Sequence, residues 1–268
     1  MSTPLLLQSP PKGLESLLSK GIRFLRFNTP ASKNALTREM GEHFYKAVQD
    51  LKADPHCRVV ILTGEGDCFS AGGDFKFLEE RCRDSQSHNR TAMKSFYDAF
   101  LCIRELPVPV IAAVQGHAIG AGLALALATD LRLVAEDVKL GLTFVGLGLH
   151  PGMGATFFAA RALGQQRAHW ALLTGKRFSA AQACDWGMFL EAVPQAAVLE
   201  RAIDLAQSLA MQSSKAVQAT LKTLREYDEA GLQAALWKEA MGQSLCYGHA
   251  DMKEGLAAIQ EKRKPAFQ

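Results

Sequence analysis

Twice in this chain an apolar run of strand length gives way to a glycine-rich loop and then to a segment of helical character. "RVVILTG" (58–64) precedes "FSAGGDF", and "PVPVIAAVQG" precedes "AIGAGLALALATD". A short continuous apolar run suits a strand buried on both faces of a parallel sheet. The first amides of a helix have no intrahelical acceptor, and the helix dipole adds positive potential there. Glycine and alanine leave such amides open to approach. Two helix tips aimed at one point can donate two hydrogen bonds to a single oxygen, which is the requirement of an oxyanion hole. Close packing of a helix on a strand needs the same small residues. Gly116, Gly120 and Gly122 taken alone therefore leave both readings open.

The rest of the pattern predicts an α/β architecture with mostly parallel pairing, each unit being a strand or two plus a helix. "GIRFLRFNTP" reads as a half-buried strand, because Ile22, Phe24, Leu25 and Phe27 sit among arginines before Asn28 and Pro30 stop the run. Met40, Phe44, Val48 and Leu51 recur at helical spacing. Residues 76–105 read as helix, with the polar "RDSQSHNR" as an exposed or flexible interruption. "VKLGLTFVGLGLHPGMGAT" reads as extended, and everything from Ala196 onward as helical. The expected organisation is a core over 1–205 and a C-terminal helical oligomerisation region over 206–268.

Several function classes are disfavoured. The glycines do not spell GxGxxG or GxxxxGK[ST], so neither nucleotide fingerprint is present. A net charge of +3 is too mild for a nucleic-acid partner, and no basic run interleaves with aromatics. The six cysteines stand singly, with no zinc-like spacing, which fits reduced thiols and no metal. No uncharged apolar run reaches the roughly 18 residues of a membrane span. "MSTPLLLQSPPKG" lacks the basic region and apolar length of a signal peptide. A cytoplasmic protein with no membrane partner is expected.

"FSAGGDF" together with "AAVQGHAIGAGLALALATDLRLVAED" resembles the crotonase superfamily, the enoyl-CoA hydratase/isomerase proteins. "NTPASKNAL", "LGLHPGMGAT", "LLTGKRFSAAQACDWGMFLEAVP" and "DMKEGLAAIQEKRKPAF" extend the resemblance, in order, over nearly the whole chain. It implies a spiral of ββα units with a C-terminal helical region, assembled as a homotrimer or a dimer of trimers. It implies a coenzyme A thioester as substrate, with no separate cofactor. By position, the thioester oxygen would accept from the amides of Gly73 and Ala121. Ala71, Gly73 and Phe75 match the segment that binds adenine, and Lys76 matches a lysine near the CoA phosphates. Lys33 lies in the segment that passes the ligand. Ile259 and Lys262 match positions that reach a neighbouring subunit's CoA.

Hydratases of this family use two glutamates as general acid and base. The matching positions here are Ala124 and Phe144, and no glutamate stands in register nearby. The nucleophilic aspartate of the dehalogenase-like branch, near Gly152, is absent too. A positioned acid or base contributes roughly 10²–10⁴ in rate, and an oxyanion donor on the order of 3 kcal/mol. The chain thus keeps the enolate-stabilising half of the chemistry and lacks the usual proton-transfer half. Isomerase- or decarboxylase-like chemistry is expected ahead of two-glutamate hydration; the alternative is a non-catalytic acyl-CoA-binding or structural homologue. His150 is the first candidate for proton transfer, since imidazole titrates near neutral pH; a structural loop histidine is the other reading. His117 reads as a structural loop histidine, Asp74 as a carboxylate in the first turn of a helix, and Glu79, Glu80 and Asp130 as surface or helix-end charges. Tyr45 and Tyr97 have no assignable place.

Overall fold

The structure, a computed structural model, describes residues 5–227 and 229–268. The first four residues of "MSTPLLLQSPPKG" and Asp228, inside the stretch read as helical, lie outside the described residues. The described chain opens with β1 (Leu6–Leu7), β2 (Ile22–Phe27) and α1 (Arg38–Ala53). Three ββα turns follow. The first is β3 (Val59–Gly64), β4 (Cys68–Ser70) and the helices α2 (Phe75–Arg81) and α3 (Gln86–Leu101). The second is β5 (Val110–Val114), β6 (His117–Ile119) and α4 (Ala121–Leu127). The third is β7 (Leu131–Ala135), β8 (Lys139–Gly141) and α5 (Ala155–Leu163). Then come α6 (Gln165–Thr174), β9 (Phe178–Ser179), α7 (Ala180–Asp185), β10 (Glu191–Val193) and the helices α8 (Val198–Ala210), α9 (Ser214–Glu226), α10 (Glu229–Tyr247) and α11 (Ala250–Gln260).

Each turn gives its first strand to one sheet and its second to another. One sheet runs β1-β2-β3-β5-β7-β10 and the other β4-β6-β8-β9. Pairing is parallel except at β1–β2 and β8–β9. This is the expected spiral of ββα units. Its consequence for function is geometric: the loops leaving β4 and β6 are neighbours, because those strands are hydrogen-bonded to each other.

The apolar runs behave as strands sealed on both faces, β3 and β5 being buried at every position. β2 departs from the half-buried expectation. Phe24 and Leu25 are adjacent in sequence and both fully buried, because β2 lies inside the sheet and both its faces are covered. Arg23 escapes by pairing with Asp54 at 2.7 Å. α1 starts where the Thr37 hydroxyl accepts from the Met40 amide, and it buries Met40, Phe44, Val48 and Leu51.

Two other stretches carry more local structure than their composition implies. "RDSQSHNR" is an ordered joint: Ser85 caps α3, and Asn89, 1% exposed, donates to Arg81 O at 2.8 Å. Its side chains are mostly exposed, as its polar composition implies, while Ser85 and Asn89 also tie the two helix ends together. The stretch after β8 is not extended, because residues Thr143–Leu147 wind into a 3₁₀ helix closed by Gly148 at φ +69°. At the C-terminus, position 205 falls inside α8, which packs on β3, β5 and β7. α10 runs along α3 and α5, and α11 covers α2 and the 143–147 turn. Helical structure ends at Gln260, short of the last residues. No helix among the described residues is long and apolar enough to cross a membrane.

Candidate active site

The first glycine loop is fixed by the segment before α1. Asn34 is fully buried; its Oδ1 accepts from Thr29 N, and its Nδ2 donates to Glu65 O and, at 2.7 Å, to Cys68 O. Leu36 then pairs with Gly73 in a single parallel bridge. The Leu36 amide donates to Gly72 O at 2.7 Å, and the Leu36 carbonyl accepts from Asp74 N at 3.1 Å. Those two bonds use the peptides on either side of Gly73. The amide of Gly73 itself faces the other way and has no partner among the described residues. Asp74 closes the loop as the cap of α2, its Oδ1 accepting from Phe77 N.

The second loop delivers Ala121 as the first residue of α4. A first-turn amide has no intrahelical acceptor, and none is supplied from elsewhere among the described residues. The two loops are in contact. Gly72 sits at φ +90°, and a Cβ on it would lie 2.7 Å from Ile119 O and 3.4 Å from the Ala121 nitrogen. Only glycine meets both conditions.

Gly73 and Ala121 open onto one cavity of about 360 Å³. Lys33, His117, Lys139 and Arg177, all exposed, stand on its wall as the polar mouth. His117 Nδ1 accepts from Lys139 N at 2.9 Å, which leaves the proton of the neutral ring on Nε2. Inward the wall turns apolar, through Phe96, Phe144, Leu149 and Met153. The Phe144 ring tip lies 4.0 Å from where a Cβ on Gly120 would stand, beside the α4 tip. Among the described residues no aspartate or glutamate lines this cavity. The buried Glu239 is occupied elsewhere: it accepts from Gly154 N, Thr156 N and Thr156 Oγ1 at the start of α5. Burial pushes its carboxyl up to about 7 against the opposing pull of those three bonds.

The sequence profile of the enoyl-CoA hydratase/isomerase family matches residues 18–268. The chain belongs to the enoyl-CoA hydratase/isomerase family. It is 34% identical to the enoyl-CoA hydratase EchA19 of Mycobacterium tuberculosis, over 90% of this chain and 91% of that one. It is 32% identical to the 1,2-epoxyphenylacetyl-CoA isomerase of Escherichia coli, over 94% and 97%. The crystal structure of an enoyl-CoA hydratase from Mycobacterium avium subsp. paratuberculosis superposes over the full length of both chains with a TM-score of 0.84 at 28% identity.

In this enoyl-CoA hydratase/isomerase family member, Lys33, Ala71, Gly73, Phe75, Ala121, Phe144 and Ile259 all come together on the cavity. Ile259 reaches the cavity of its own chain. His150 does not join them. Leu149 lines the cavity, and His150 does not. The His150 ring is stacked on Gly242, where a Cβ would lie 2.6 Å from it, and its Nδ1 is 2.7 Å from Pro151 O. It lines a separate hollow with Thr156, Leu172 and Cys246. Lys76 and Lys262 are exposed and stand off the lining, Lys262 just beyond the end of α11. Ala124 is sealed inside α4, so of the two positions that the resemblance matches to glutamates only Phe144 faces the cavity. Asp130, read as a helix-end charge, is instead a part-buried anchor holding the Arg225 guanidinium through two bonds.

The inner wall also carries Tyr97, Gln243 and Tyr247, none of which the sequence places there. Tyr97 lies on α3 and the other two on α10. No local motif marks them, since only the packing of α10 along α3 brings them together.

Proposed function

We propose that this chain binds an acyl-CoA thioester and polarises its carbonyl between the amides of Gly73 and Ala121, stabilising an enolate. The observation that carries this reading is the pair of amides, unpartnered among the described residues, opening onto one cavity whose described lining has no carboxylate. Each such donor is worth on the order of 3 kcal/mol to a developing oxyanion. The exposed Lys33, Lys139 and Arg177 give the mouth a positive field for the CoA phosphates.

Isomerase- or decarboxylase-like chemistry fits this wall better than two-glutamate hydration. In decarboxylation of a thioester the departing CO₂ leaves its electron pair to the enolate, so no base is needed to form it. Hydration needs a base to activate water and an acid to protonate carbon. A non-catalytic acyl-CoA-binding homologue is the second reading, favoured by the same missing carboxylates. We place the assembly as a homotrimer or dimer of trimers; Trp237, Met241 and Leu245, spaced along one exposed stripe of α10, supply an apolar contact face.

The test is the infrared carbonyl stretch of bound acetoacetyl-CoA. It moves to lower wavenumber in the wild type and in Gly73→Ala, where the added methyl finds only Leu78, at 3.7 Å. It returns toward the free value in Gly73→Pro, which lacks the donor. A stretch in the wild type equal to that in water overturns the proposal. Protection against thermal unfolding by the thioester separates ligand binding from polarisation, because a ligand at 100 times its Kd adds about 2.7 kcal/mol.

A further inference from the structure

A second cavity, of about 720 Å³, lies at the end of α4 remote from the Ala121 amide, between α5, α9 and the start of β7. It shares no lining residue with the first. The guanidiniums of Arg104, Arg132, Arg161 and Arg225 line it, against one carboxylate among the described residues, that of Asp130. Asp130 is already claimed: Arg225 holds both its oxygens, and one of them also accepts from Val110 N. Arg132 donates from Nε and Nη1 to the carbonyls of Met188 and Thr129, and its Nη2 has no partner among the described residues. Arg104 lies over the Phe158 ring, its guanidinium carbon 5.4 Å from the ring centre. Its buried Nε has no partner among the described residues, and its Nη1 is 3.4 Å from Ala128 O. Its Nη2 is 3.9 Å from Glu229, beyond hydrogen-bond reach. The Arg104 side chain keeps 17% of its surface exposed, so the cluster is open to a ligand. Backbone carbonyls orient these groups but leave their charge in place.

We propose that this cavity is a second ligand site for an amphiphilic anion, its oxyanion head held by Arg104 and Arg132 and its aliphatic chain lying on the apolar wall of α5 and α9. Like charges in a part-buried hollow repel one another, and an anion placed among them removes that repulsion. Burial, with the Arg225 and Arg161 charges beside it, already pulls the Arg104 pKa below its ordinary value. The planar guanidinium fork matches a carboxylate and a phosphate alike. The rest of the lining decides the body of the ligand, because Leu127, Leu131, Phe157, Phe158 and Leu221 offer an apolar surface. A bare inorganic anion leaves that surface wet, and a neutral hydrocarbon strips water from the guanidiniums with nothing in return. The volume falls in the range of small-molecule pockets, roughly 300–1,000 Å³. The site stands independently of the acyl-CoA reading.

The experiment is calorimetric titration of the full chain with decanoate, decyl phosphate, decanol and inorganic phosphate. Both amphiphilic anions bind the wild type at least about tenfold more tightly than decanol, the worth of one hydrogen bond to a charged group. They also bind more tightly than inorganic phosphate, and the tighter of the two names the head group. Arg104→Gln and Arg132→Gln each weaken anion binding by about tenfold and leave decanol binding as it was. Arg177→Gln, at the mouth of the first cavity, changes neither. The proposal is overturned if decanol matches the anions, if inorganic phosphate matches decyl phosphate, or if either arginine variant of this cavity keeps wild-type affinity. It is overturned too if the loss falls on Arg177→Gln, which would put the anion in the first cavity. No binding at millimolar ligand also overturns it, as when a second copy of the chain closes the cavity. The wild-type series decides alone should the variants not fold. Each of these failures leaves the carbonyl stretch of bound acetoacetyl-CoA, and with it the oxyanion reading, untouched.

Discussion

Ser70 lies directly against Gly122: a Cβ on the glycine would stand 2.6 Å from the serine Cβ and 2.6 Å from its carbonyl oxygen. The same serine donates to Asn34 O at 2.8 Å and accepts from Gly72 N at 3.2 Å. One buried side chain thus joins the segment before α1, the first glycine loop and the first turn of α4. Gly122→Ala must drive these apart, at a cost of about 1–3 kcal/mol. Urea denaturation measures the loss, and weaker acyl-CoA binding accompanies it because the Ala121 amide moves with the helix tip. Gly73→Ala, where there is space, leaves stability unchanged.

Glu239 makes stability depend on pH in an unusual sense. Its carboxyl, pushed up to about 7 by burial, is protonated more readily in the folded chain than in the unfolded one. The contribution to stability is complete below about pH 4.3, the unfolded value, and is lost as pH rises through 7. In urea titrations the wild type therefore loses stability relative to Glu239→Gln between pH 5 and pH 8, by on the order of 3 kcal/mol at most. Parallel curves for the two proteins contradict this.

Arg225 fastens α9 to the six-stranded sheet. Its Nε and Nη2 hold both oxygens of Asp130, and its Nη1 donates to the carbonyls of Arg104 and Leu106. Asp130 in turn accepts from Val110 N. Arg225→Ala leaves a part-buried carboxylate unpaired and costs roughly 3–5 kcal/mol in chemical denaturation. Arg225→Lys recovers only part, because an ammonium cannot reproduce the planar fork.

The two positions that the resemblance matches to glutamates respond differently to a carboxylate. Phe144 faces the cavity, so Phe144→Glu brings a carboxylate to the thioester and raises crotonyl-CoA hydration by at least about tenfold. Ala124 is fully buried, so Ala124→Glu lowers the Tm, because a charge buried there has no partner. Wild-type protein hydrates crotonyl-CoA more slowly than a two-glutamate enzyme by roughly 10² or more. Hydration at an ordinary rate would show that another group has taken the acid–base role.

The sequence by itself determined the repeated strand–loop–helix units, which are written in consecutive residues where apolar run length, glycine placement and helix-end chemistry act locally. The candidate amides at 73 and 121 and the positions 124 and 144 matched to glutamates followed from the resemblance that its motifs carry. The sequence could not say which side of the extended stretch after Gly148 faces the cavity, so His150 was drawn toward a site that Leu149 occupies. Nor could it see that Asp130 waits for an arginine on α9. Only the tertiary structure decided that Tyr97 meets Gln243 and that Leu36 turns the Gly73 amide outward. Both depend on contacts between segments far apart in the chain, and no local propensity encodes which of many possible partners will pack there.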